Sequence, residues 1–166
     1  MAKQEISPLE QAEQELPQPW YIADRKAELT LRVLLTILTY YPTIQNYDQP
    51  PIHLVGAGIY LLSTIADRYS TNKALDAINV AKENGVETDY EEQNSALRGV
   101  ATAHEFNRNI KMLAKDAVGI TVSAIIPPMG TMIGTIKVFA SANNFFVAKL
   151  HNRATEIAKE KSSRNL

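Results

Sequence analysis

Charge is missing from long stretches of this chain, and that constrains its fold more than any other feature of the sequence. No Asp, Glu, Lys or Arg occurs in 33–47, 49–66, 117–136 or 138–148, although the chain carries 35 such residues in 166. A helix that crosses a bilayer needs about 20 mainly apolar residues. With snorkelling ends, each window approaches that length. Prolines punctuate them: Pro42 with Pro50-Pro51 brackets 43–49, and Pro127-Pro128 followed by Met129-Gly130 divides the longest apolar stretch. Two tight turns there predict four helices, Glu28 to Tyr41, Ile52 to Ala66 and beyond, Ile110 to Ile126, and Met129 to Leu150, with both turns on one side.

The cations follow the same division. Sixteen of the 17 Lys and Arg residues fall on the side of the two termini, the turns carry none, and only Lys137 lies within an apolar arm. Such clearance matches the positive-inside pattern. Tyr40, Tyr41 and Tyr47 cluster at the charge-poor end, with Trp20, Tyr21, Tyr69, Phe145 and Phe146 near the other, as in interfacial aromatic belts. The sequence-based expectation is therefore an all-α, four-helix transmembrane bundle of a multi-pass cell-membrane protein, both termini cytoplasmic. Its bland competitor is a soluble four-helix bundle with apolar turns.

Around this core, residues 1–19 read as an N-terminal tail or short helix, 20–150 as the bundle and 151–166 as a basic C-terminal tail. Ser7, Pro8 and Glu10 carry a capping-box signature with Pro at the first helical position. The segment has Glu5, Glu10, Glu13 and Glu15 where a secretory signal would have basic residues. The polar region 67–115 reads as a helical hairpin extending the second and third helices into the cytoplasm. The second helix continues through Lys82, with Ala74, Ala77, Ile78 and Ala81 on one face, and stops at Asn84-Gly85. Thr88 and Glu91 form a second capping box, opening a helix that would run unbroken from Asp89 to Ile126, about 57 Å at 1.5 Å per residue.

The charged residue within an arm needs a partner, because an intramembrane charge is costly. Counted back from the Pro-Pro turn, Asp116 lies at a depth within reach of Lys137, so the two are expected to form an intramembrane ion pair. Small residues at four-residue spacing, Gly119 with Ser123 and Gly130 with Gly134, predict close helix packing, and Gly56 and Gly58 loosen the second arm. Gly56-Ala57-Gly58 is no nucleotide fingerprint, since a third glycine and a preceding strand are missing. Glu91, Glu92, Asn94, His104 and Glu105 lack the Glu-x-x-His spacing of a bundle metal site, and His53 and His151 are remote; neither a metal nor another cofactor is expected. Zero cysteines exclude disulfides, thiolate metal sites and a Cys nucleophile.

Asp67, Ser70 and Thr71 share a helix face at three- and four-residue spacing. Together with Ala74-Leu75 and the following Glu92-Gln-Asn94-Ser95, Asp67-Arg-Tyr-Ser70-Thr71 resembles a pattern in small four-span bacterial and phage membrane proteins, which carry D-x-x-S-T at the end of one span and an E-x-N-P-like element in the next loop. Ser95 stands where that pattern has Pro. The resemblance covers about 30 residues. It implies a similar topology and a polar site of Asp67, Ser70, Thr71, Glu92 and Asn94 on the basic face, without an activity.

No motif in the chain indicates catalysis. A net charge of −1 gives no global reason for a nucleic-acid partner. The expected role is structural or interactive, with membrane lipids, a protein partner or a second copy as partners and the polar hairpin as contact surface. Two alternatives are a small transporter, pore or holin-like protein, with water along the Asp116 and Lys137 line, and a soluble helical-bundle adaptor.

Overall fold

The structure, a computed structural model, describes residues 6–19, 25–88 and 109–164. Five helices occupy them: α1 (Pro8–Glu15), α2 (Arg25–Gln45), α3 (Pro50–Glu83), α4 (Ile110–Ile125) and α5 (Pro127–Arg164). α5 is the hub, packed against each of the other four, and its longest interface is with α3.

Spacing explains that interface. Gly56, Tyr60, Ser63, Asp67, Ser70, Ala74, Ala77 and Ala81 follow one another along α3 in alternate steps of four and three. Along α5, Gly130, Gly134, Lys137, Ser141, Asn144, Ala148, His151 and Thr155 do the same. A repeat of seven keeps one seam facing a partner helix along its whole length. Contacts advance together along both helices, from Gly56 with Gly130, through Ser70 with Asn144 (74 residues apart), to Ala74 with Ala148, so the pair runs parallel and in register. Its residues are small or polar, which brings the backbones close. A Cβ on Gly130 would collide with the carbonyl oxygen of Gly56, and one on Gly56 with Cα of Pro127.

Both turns lie at one end of the pair. There Tyr47 Oη donates to the Ile125 carbonyl at 3.2 Å, and His53 Nδ1 lies 2.7 Å from the Ala124 carbonyl oxygen. The Pro-Pro corner is buried against this junction. It belongs to α5, which begins at Pro127 after the single residue Ile126, because proline's fixed φ and missing N–H suit the first helical turn. Pro42 likewise falls inside α2. The helix continues three residues past it, and Asn46 Nδ2 caps the end by donating to the Pro42 carbonyl at 2.8 Å.

The opposite end forms an apolar core of Ala12, Ala81, Val86, Leu150, Ala154 and Ile157. Gly85, at φ +74°, ends α3 in a Schellman motif, with Val86 N–H bonded to the Ala81 carbonyl and Gly85 N–H to that of Lys82, each at 3.0 Å. Val86 is thereby folded back onto Ala81. α1 closes this core through Ala12, held at its start by a reciprocal capping box between Ser7 and Glu10. α1 is thus a short helix docked on this core, and residues 151–164 are the last part of α5.

Two expectations are corrected. Among the described residues no helix is long and apolar enough to cross a membrane, which overturns the transmembrane bundle and the multi-pass cell-membrane placement. The physical reason lies within the helices. α4 has only 16 residues and includes Lys111, Lys115 and Asp116, and α5 interrupts its apolar arm with Lys137, Ser141, Asn143 and Asn144. In α3, Asp67 and Arg68 follow directly on the apolar turns, and α2 mixes four threonines, Arg32 and Gln45 among its leucines. Nor does a single helix run from Asp89 to Ile126. α4 starts afresh at Ile110, where Asn109 Oδ1 accepts from the N–H groups of Lys111 (3.0 Å) and Met112 (3.3 Å). Glu91 of the second capping box and residues 89–108 of the hairpin lie outside the described residues.

Candidate functional site

The polar centre of the bundle lies where α3, α4 and α5 meet. Asp116 projects from α4 with its side chain 10% exposed, and each of its oxygens meets a different cation. Arg68 Nε of α3 donates to Oδ2 at 2.7 Å, and Lys137 Nζ of α5 lies 3.2 Å from Oδ1. Lys137 also donates to Thr64 Oγ1 at 2.7 Å, and its ammonium stands 4.6 Å from the centroid of the Tyr60 ring. Tyr60 and Thr64 are buried on the face of α3 that carries Arg68, at successive four-residue spacings. The Tyr60 phenol fills the space above Gly119 of α4, where any Cβ would overlap it.

One carboxylate and two cations make a cluster of charge +1 at low exposure. Removing ions from water is costly, and this cluster offsets that cost by hydrogen-bonding Lys137 to a hydroxyl and facing it with an aromatic ring. With both oxygens of Asp116 held by cations, its geometry is that of a clasp joining three helices rather than of a general base offered to a substrate. None of the described helices that carry these side chains is long and apolar enough to cross a membrane.

The polar residues nearer the basic end serve a related purpose. Asn144 Nδ2 of α5 donates to Thr71 Oγ1 at 2.9 Å and to Ser70 Oγ at 3.3 Å, and the Ser70 hydroxyl donates to the Asp67 carbonyl at 2.9 Å. Ser70 and Thr71 are buried in this seam. Glu92 and Asn94 lie outside the described residues. Of the small residues, Gly56, Ser123 and Gly130 converge at the turn end, Gly134 lies against Ile59 and Ser63, and Gly58 faces open space. Ser123 is fully buried, and its hydroxyl has no hydrogen-bond partner among the described residues. His151 Nδ1 lies 2.9 Å from the Val147 carbonyl oxygen, within its own helix. Among the described residues, no three His, Asp or Glu side chains converge as metal ligands.

Arg68, Thr64, Tyr60 and Asn144 belong to these networks and escape sequence reasoning. A signal for them does exist: Tyr60, Thr64 and Arg68 recur every four residues, and Asn144 follows Lys137 by seven.

The outer surface contrasts with this polar seam. α2 turns Arg32, Thr39 and Thr43 inward, with Arg32 5.4 Å over the Phe139 ring, and leaves Leu29, Val33, Leu34, Ile37 and Leu38 exposed. Leu54 and Leu62 of α3 are 78% and 69% exposed. An apolar belt therefore surrounds the turn-proximal half of the bundle. No family model, no curated protein and no solved structure matches this chain.

Proposed function

We propose that the chain acts as a helical-bundle adaptor, a protein-interaction component without catalysis of its own. The observation that carries this reading is the inverted placement of polarity: the strongest ionic and hydrogen-bonding groups are spent inside, on Asp116, Lys137 and Asn144, while leucines and isoleucines of α2 and α3 face outward. Monomeric proteins seldom expose contiguous apolar patches of more than a few hundred Å², and larger ones mark interaction surfaces. Asp116 held by two cations, and His53 and His151 each bonded to a backbone carbonyl, also support a role without acid–base chemistry.

The test is extraction. Cells expressing the chain are lysed, and their membranes are washed with alkaline carbonate. An adaptor is released into the supernatant without detergent, and charge substitutions at Leu34 and Leu38 deplete the high-molecular-weight cross-linked species it forms in cells. A chain retained in the carbonate pellet until detergent is added contradicts the reading.

A further inference from the structure

At the end of the molecule away from the turns, α1, α3 and α5 enclose a trough of about 440 Å³. Its floor is aromatic: the rings of Tyr69 and Phe145 lie 6.0 Å apart at 55°, and both side chains are about half exposed. Its rim is basic. Lys73 of α3 holds its ammonium 5.7 Å from the Tyr69 ring, and Lys149 and Arg153 line the α5 side. Through Leu16, Phe145 and Lys149 the trough continues into a second depression of about 360 Å³ beside Pro17 and Pro19. The two together form an elongated, aromatic-floored channel rather than a single cup.

The chain itself displays what the rim accepts. Glu15, the last residue of α1, places its carboxylate 2.7 Å from Arg153 Nε, while Ala12 of the same helix enters the core. One carboxylate of this chain is thus already seated on the rim. Lys73 and Lys149 are exposed and have no carboxylate partner among the described residues. Two cations over an apolar floor complement a ligand in which acidic side chains alternate with large apolar ones.

We propose that this trough docks an acidic, apolar peptide segment of a partner protein, its carboxylates on Lys73 and Lys149 and its aromatic or aliphatic side chain on Tyr69 and Phe145. The assignment rests on the adaptor reading and supplies its partner chemistry. Polar seam residues take no part in it, so the trough variants leave the bundle interior untouched.

Fluorescence anisotropy on the full chain tests the assignment, using a labelled peptide in which glutamates alternate with leucine and phenylalanine and a counterpart with glutamine at every glutamate position. The glutamate peptide binds at least about tenfold more tightly than the glutamine one, and added salt weakens it, as for contacts between exposed charges. Lys73→Glu with Lys149→Glu reduces that affinity about tenfold or more at unchanged helical circular dichroism, and Phe145→Ala weakens both peptides. Equal binding of the two peptides overturns the proposal, as does charge reversal without effect. Phosphatidylserine vesicles that bind in a lysine-dependent way, when the peptide does not, overturn it in favour of a lipid surface. A chain that is released by carbonate yet ignores the glutamate peptide sinks the trough alone, whereas a chain that needs detergent sinks the adaptor reading whatever the peptide does.

Discussion

Asp116 answers two cations at once, so the cost of neutralising it falls on both. Asp116→Asn keeps the shape and removes the charge, leaving Arg68 and Lys137 side by side at 20% and 13% exposure. Removing one partner of a buried ion pair destabilises by about 3–5 kcal/mol. Partial exposure places the expected loss near the lower end, about 3 kcal/mol, read as a fall in the urea midpoint at constant slope. A change under about 0.5 kcal/mol, the range of an ordinary surface substitution, would show that the clasp contributes little. Ser123 goes the other way. Its hydroxyl is buried where α3, α4 and α5 converge and bonds to nothing among the described residues. Ser123→Ala removes an unsatisfied group without adding volume and is expected to raise the urea midpoint, by about 1 kcal/mol in stability.

At the scale of the element, α1 illustrates how a short helix is retained by its surroundings. Eight residues are too few for a stable isolated helix. α1 persists through its capping box, through Ala12 in the core, and through Glu15 bonded to Arg153. The Arg153 hydrogen bond, followed by that from Gln11, holds the Glu15 carboxyl below its ordinary value of 4.5. A depressed carboxyl contributes stability that is present above 4.5 and lost as pH falls through the folded-state value. The melting-temperature difference between the native chain and Glu15→Gln is therefore expected to be positive at neutral pH and to vanish on acidification below 4.5. A difference that is constant across that range would mean the pair does not titrate with folding.

Elements are also where the sequence was most informative. The capping residues Ser7 and Glu10, the Asn84-Gly85 stop and the proline-marked turns are local signals, and local chemistry decides them. Pro42 misleads, because a proline near the end of a helix leaves few carbonyls without donors and the helix runs past it. Lys137 and Asp116 are legible as a charge within an apolar arm and an acid at similar depth. Arg68 and Thr64 are not, because a depth count along one hairpin says nothing of the helix that packs across it. The seam is hidden for a similar reason: Gly, Ser, Asn and His do not register as a hydrophobic stripe, although their heptad spacing is as regular as that of a leucine zipper.

The whole molecule shows why the charge pattern invites a membrane reading that the helices do not sustain. The turns carry no cation, while Lys73, Lys82, Lys149, Arg153, Lys159 and Lys161 of α3 and α5 lie toward the opposite end, around the core of Ala12, Val86 and Ile157. A spanning helix must be apolar around its circumference over about 20 residues. In their turn-proximal halves α3 and α5 are instead polar along one shared seam and apolar outside it, and farther from the turns their outer faces carry exposed charges such as Lys73, Lys82, Lys149 and Glu156, so their pairing is what the remaining helices dress.

That parallel, in-register pairing of α3 with α5 is the claim on which the clasp, the belt and the trough all depend. It can be tested in a chain with no native cysteine by introducing Ala74→Cys with Ala148→Cys, two positions packed together in the seam. Mild oxidation of the dilute, folded protein should close an intramolecular disulfide, seen as faster migration on non-reducing electrophoresis that reduction reverses. Failure of the pair to close while circular dichroism shows the helices intact, or closure only between chains, would contradict it.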